Sequence, residues 1–131
     1  MSTTRKLCLP ILLAAALIGC SQQPQVTGVL AGHVSIGPLV PVVREGEPEP
    51  TPAPEVYAAR QVVIYKSDGR KEIARAEINA LGDYWIDLAP GTYVVDINHG
   101  GIDMASSLPA EIQIQAGQIT RLDIDIDTGI R

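Results

Sequence analysis

The chain is poor in the residues that most chemistry requires. It has two histidines and two cysteines among 131 residues. Zinc and iron sites gather several His, Cys or carboxylate ligands. His33 and His99 stand 66 residues apart, so no metal and no cofactor is expected. No serine sits in a nucleophile elbow, and no glycine-rich loop opens a helix. No catalytic residue is therefore assigned, and the chain is expected not to be an enzyme. Long apolar runs are also missing. Leu7 to Ile18 is a run of twelve, short of the roughly 20 residues of a transmembrane helix. Positive charge is scarce: 10 basic residues face 15 acidic ones. Nucleic-acid binding needs a basic footprint, so that class is excluded.

What is present begins with the leader. Arg5 and Lys6, the apolar run and the small Gly19 read as a secretory signal peptide over residues 1–19. Leu17-Ile18-Gly19-Cys20 resembles the bacterial lipobox. The resemblance implies cleavage before Cys20 and fatty acylation of Cys20, a palmitate-type anchor of more than one chain. One acyl chain alone anchors marginally. Residues 20–27 are then a lipidated tether, and residues 28–131 the folded domain. Ser21 replaces the Asp that retains such proteins in the inner membrane of enteric bacteria. Outer-membrane placement is expected if the organism is Gram-negative. Cys8 leaves with the leader and Cys20 is acylated, so the domain has no disulfide and depends on its own core. Loss of Arg5 and Lys6 leaves 8 basic and 15 acidic residues, a net charge of −7. That charge disfavours lying flat on an anionic membrane.

The domain is expected to be all-β. Val29 to Ile36 is the first strand. Residues 37–56 form a long connection that turns acidic and proline-rich after Val43. Proline removes donors and favours extended backbone, and a loop of this length is either solvated or a docking segment for a partner. Gln61 to Lys66 is apolar on both faces and reads as central. Ser67-Asp68-Gly69-Arg70 is a hairpin turn leading into Lys71 to Ile78, where a strand competes with a helix. Gly82 to Ile97 alternates on both sides of Ala89-Pro90-Gly91-Thr92. It reads as a β-hairpin with a type II turn. Its core positions are Tyr84, Ile86, Leu88, Tyr93, Val95 and Ile97. Ala110 to Gln115 and Ile119 to Asp127 complete about seven short strands, the pattern of a β-sandwich.

The spacing Gly82-x-Tyr84-x-x-x-Leu88-x-Pro90-Gly91-x-Tyr93-x-Val95 resembles the carboxypeptidase regulatory-like domain. Its relatives are prealbumin-like sandwiches and the B-type repeats of Gram-positive adhesins. The resemblance implies a seven-stranded Greek-key sandwich without intrinsic catalysis. It also implies a tyrosine-corner role for Tyr93, whose hydroxyl ties down a loop.

Three further sets of residues invite chemistry. Asp123, Asp125 and Asp127 have calcium-loop spacing at first, but Thr128 stands where the loop needs glycine. They read as the outer face of a strand, opposite Arg60, Lys66 or Arg75. Some adhesin B-type repeats form a Lys–Asn isopeptide bond; Lys66 or Lys71 with Asn79 or Asn98 are the available partners, and the last strand lacks the Asn this requires. Trp85 stands on the face opposite Tyr84 and Ile86. It packs under the long loop or, alternatively, serves as a ligand or partner contact. The expected protein is a lipid-anchored, non-catalytic envelope β-sandwich with a structural or protein-binding role. A glycan-binding module using Trp85 is the alternative.

Overall fold

The computed structural model describes Gly19, residues 24–98 and residues 100–131. The predicted leader up to Ile18, the lipidation site Cys20 and His99 lie outside the described residues. Among them are eight strand segments and one short helix: β1 Gly28–Gly37, α1 Pro54–Ala58, β2 Gln61–Lys66, β3 Glu72–Glu77, β4 Asp83–Leu88, β5 Gly91–Ile97, β6 Ala110–Ile114, β7 Ile119–Arg121 and β8 Ile124–Asp127.

The strands form the two sheets of a β-sandwich. In the first, β1 is central, with β4 antiparallel on one side and β7 and β8 parallel on the other. In the second the order is β3-β2-β5-β6. From β2 the chain runs through β3, crosses to β4 in the other sheet, and returns in β5 beside β2. This is the Greek-key return.

Alternation decides which side chains enter the core. Leu30, Val34 and Ile36 point in from β1, Tyr84 and Leu88 from β4, and Ile124 and Ile126 from β8. They meet Val62 and Ile64 of β2, Ala76 of β3, Val95 and Ile97 of β5 and Ile114 of β6. β2 is central, as its two apolar faces predict. Val63, on its outer face, is also buried. Lys71 to Ile78 resolves as a strand, because its pairing with β2 aligns Ala74, Ala76 and Ile78 with the core. The turn before it uses Gly69 at φ +69°, and Asp68 Oδ1 accepts the backbone N–H groups of Arg70 and Lys71.

The predicted hairpin is corrected. β4 and β5 do not pair with each other: β4 pairs with β1, and β5 with β2 and β6. Ala89-Pro90 is a corner between sheets, and Gly91 is near-extended at φ 157°, where a type II turn needs about +80°. Alternation reports a buried face, and two strands facing each other across a core satisfy it as well as two strands side by side. The corner is fastened as the tyrosine-corner resemblance implies, with Tyr93 Oη donating to the Ala89 carbonyl at 2.5 Å.

Two other boundaries move. The predicted last strand is broken between β7 and β8. The Leu122 carbonyl sits over Gly32, where a Cβ would approach it to 1.9 Å. The Tyr84 hydroxyl donates to that carbonyl at 2.5 Å. The long connection ends at α1 rather than at Val56. Pro54 suits a first helical turn because its missing N–H is not needed there. Tyr57 then drops into the core, 4% exposed. It packs against Gly82, which combines φ +84° with ring atoms of Tyr57 and His33 at 2.9 Å from the place a Cβ would occupy. No helix among the described residues is long and apolar enough to cross a membrane.

Candidate functional site

The outer face of the first sheet follows from its register. One row is Asp87, Val29 and Ile119; the next is Trp85, Ala31 and Arg121. Beyond them come Asp83 and His33, then Ser35 and Asp125. Trp85 is on this face as predicted, yet it is 65% exposed and Ile119 is 74% exposed. The expected packing of Trp85 under the long loop is not observed. Trp85 lies toward the end of β1 where the chain enters the domain, while the loop leaves from the other end, at Gly37.

At that other end the proline-rich segment returns over the sheet. Glu49 reaches Gly37, where its Oε1 lies 2.8 Å from the position of an added Cβ. Between this segment and β1 and β8 is an open groove of about 740 Å³. Ser35, Pro50, Pro52, Tyr57, Met104 and Asp125 are among the residues that line it. Met104 forms a bridge with Asp127 that covers the edge of β8. The lining mixes polar and apolar side chains, and among the described residues no three metal-ligating side chains converge.

No protein family and no curated protein matches the chain in sequence. Solved structures do match in shape. The minor pilin GBS52 of Streptococcus agalactiae superposes with a TM-score of 0.54 at 17% identity, over 79% of this chain and 45% of the pilin. A DUF3823 family protein from Parabacteroides merdae gives 0.47 at 14% identity, over 78% of this chain and 46% of its own. One from Bacteroides ovatus gives 0.46 at 14% identity, over 75% and 44%. What the chain shares with the pilin is the fold. It spans less than half the length of each of these proteins.

The charged residues form local pairs that differ from the expected ones. Asp123 accepts the His33 backbone N–H at 2.8 Å, and Arg121 lies 3.2 Å from its carboxylate. These contacts, the His33 N–H first, hold its carboxyl below the usual range. His33 Nδ1 lies 2.9 Å from Asp83. Asp127 binds Arg131 at 2.8 Å, and that contact, with the Gly129 N–H, lowers its pKa. Arg60 holds Asp103 through two bonds, at 2.7 and 3.0 Å, and also caps the Val56 carbonyl. Arg75 binds Glu72 and Gln61. The expected pairing of the three aspartates with Arg60, Lys66 or Arg75 therefore fails. Among the strands β7 and β8 pair only with β1, whereas Lys66 and Arg75 belong to the second sheet and Arg60 immediately precedes it.

The isopeptide candidates have other work. Asn79 Oδ1 accepts the N–H groups of Leu81 and Asp83, shaping the turn before β4. Asn98 Oδ1 accepts the Gln61 N–H. Lys66 and Lys71 are exposed. Burial pushes the Tyr84 hydroxyl pKa up, with the nearby Asp123 charge adding to it. Sequence reasoning missed Tyr57, the Arg60–Asp103 pair and the role of Gly32. A glycine inside a strand signals close backbone approach, so Gly32 alone was readable.

Proposed function

We propose that this chain is a lipid-anchored envelope protein whose β-sandwich is non-catalytic and binds a protein partner. The observation that carries the reading is polarity along β1. The tether enters at Gly28, and the groove beneath the proline-rich segment lies at the Gly37 end. Ten residues of strand put these ends about 30 Å apart. An anchor at Cys20 presents the groove away from the lipid. The sandwich fold shared with the minor pilin is compatible with such a structural role, and the Ser21 expectation puts the anchor in the outer membrane if the organism is Gram-negative.

Two measurements test the reading. Cys20→Ser should release the protein from membranes; continued tight attachment refutes lipid anchoring. A photocrosslinker at Thr51, in the groove wall, should capture a specific envelope protein from native membranes. The same probe at Asp68, on the β2–β3 turn, should not; equal capture at both positions refutes the groove as the contact. The glycan alternative draws on the exposed indole of Trp85. It requires a saturable change in Trp85 emission with envelope oligosaccharides.

A further inference from the structure

We propose that the end of the sandwich around Trp85 rests on the lipid surface that holds the anchor, with a phospholipid headgroup layer as its occupant. The proposal rests on the lipid-anchored reading above. Its first support is chain length. Cys20 to Thr27 is eight residues, and a fully extended chain of that length reaches at most about 28 Å. The domain is therefore held close to the bilayer by the Gly28 end.

That end carries exposed apolar side chains. Val26 is 65% exposed, Trp85 65% and Ile119 74%. Val29 and Ala31 lie between Trp85 and Ile119 on the same face. Trp is favoured at membrane–water interfaces because its indole is apolar with one polar tip.

The charge distribution is the second support. Sheet register places four cations toward this end. Arg121 is beside Ala31, Lys66 is opposite Tyr93, and Arg70 and Lys71 are in or next to the β2–β3 turn. Asp68, Glu72, Asp87 and Glu111 accompany them, so this end is close to neutral. The other end carries Glu49, Asp83, Asp103, Asp123, Asp125 and Asp127. Within that set Asp103 is paired with Arg60, Asp127 with Arg131, Asp123 with Arg121 and Asp83 with His33. Among these residues, the excess of carboxylates therefore lies at the Gly37 end. An anionic leaflet repels the acidic pole and attracts Lys and Arg near its surface. Such a molecule stands on its Gly28 end and leans on the Trp85 face, although its total charge opposes lying flat.

Trp85 is the only tryptophan, which makes the test direct. The lipidated full chain is placed in vesicles of phosphatidylethanolamine and phosphatidylglycerol, with brominated acyl chains as quenchers. Sedimentation reads anchoring, and Trp85 emission reads docking. The expected result is co-sedimentation, a blue shift, loss of most of the emission with brominated lipid, and shielding from aqueous acrylamide. Arg121→Gln and Lys71→Gln should stay anchored, and each should reduce the ratio of docked to undocked protein by about fivefold. Protein that sediments while Trp85 stays fully open to acrylamide overturns the docking and leaves the anchor standing. Protein that remains in the supernatant overturns both. A blue shift without lipid that grows with protein concentration assigns the face to a second copy. One produced only by soluble oligosaccharide assigns it to a glycan. Either of these also overturns the proposal.

Discussion

Replacing Tyr84 by Phe isolates one hydrogen bond at the point where the last strand breaks. The Tyr84 ring is 1% exposed, and Phe retains its packing. What disappears is the hydroxyl donated to the Leu122 carbonyl at 2.5 Å. That carbonyl lies over Gly32, between β7 and β8, and an unsatisfied buried acceptor costs about 1–3 kcal/mol. A loss of about 1.5 kcal/mol lowers the melting temperature of a domain this size by about 6–12 °C. Urea unfolding followed by far-UV circular dichroism measures it, with a lower midpoint at unchanged slope. Trp85 emission is a poor unfolding probe because the ring is exposed in the fold. The hydroxyl also titrates. Burial raises its pKa in the folded state, so the native state keeps a proton that the unfolded state releases above about pH 10. The associated stability is complete below pH 10 and is lost as pH rises further, by up to about 1.4 kcal/mol per pH unit. The Phe variant lacks this slope, so its deficit narrows in alkali. A Phe variant as stable as the parent at pH 7, with the same alkaline slope, refutes the assignment.

Three more outcomes follow from the same geometry. Gly32→Ala places a methyl group 1.9 Å from the Leu122 carbonyl oxygen and should cost about 3 kcal/mol by displacing the strand break; a neutral melt refutes the contact. Arg60→Ala leaves the Asp103 carboxylate, about 10% exposed, without its two bonds. It should cost about 2–3 kcal/mol, and a double-mutant cycle with Asp103→Ala should show strong coupling. Trp85→Ala should change folding stability by less than about 0.5 kcal/mol, because the ring is 65% exposed; a loss of 3 kcal/mol would mean that it packs against a second layer.

Much of the fold was legible because a strand writes its burial at period two. Tyr84, Leu88, Val95 and Ile97 were identifiable as core side chains before any neighbour was known, and so was the outward direction of Trp85. The Asp68-Gly69 turn was readable for a similar reason, since its chemistry lies within four residues. Strand partners were not. Period two is the same for strands paired side by side and strands opposed across a core, so the stretch from Gly82 to Ile97 looked like a hairpin. Tyr57 was hidden because its burial depends on where a twenty-residue connection returns. The candidate site was half visible: the residue type of Trp85 was plain, but its exposure depends on what covers it.

By itself, the sequence determined the all-β class, the inward side chains, the acidic balance and the resemblance of Leu17-Ile18-Gly19-Cys20 to a lipobox. These rest on local period, composition and short motifs. Only the tertiary structure decided that Ala89-Pro90 is a corner between sheets and that the last strand breaks over Gly32. It also decided that Trp85 and Ile119 share an exposed face toward the Gly28 end of β1. Each of these depends on which distant backbones share hydrogen bonds, and that is settled by how the whole core closes.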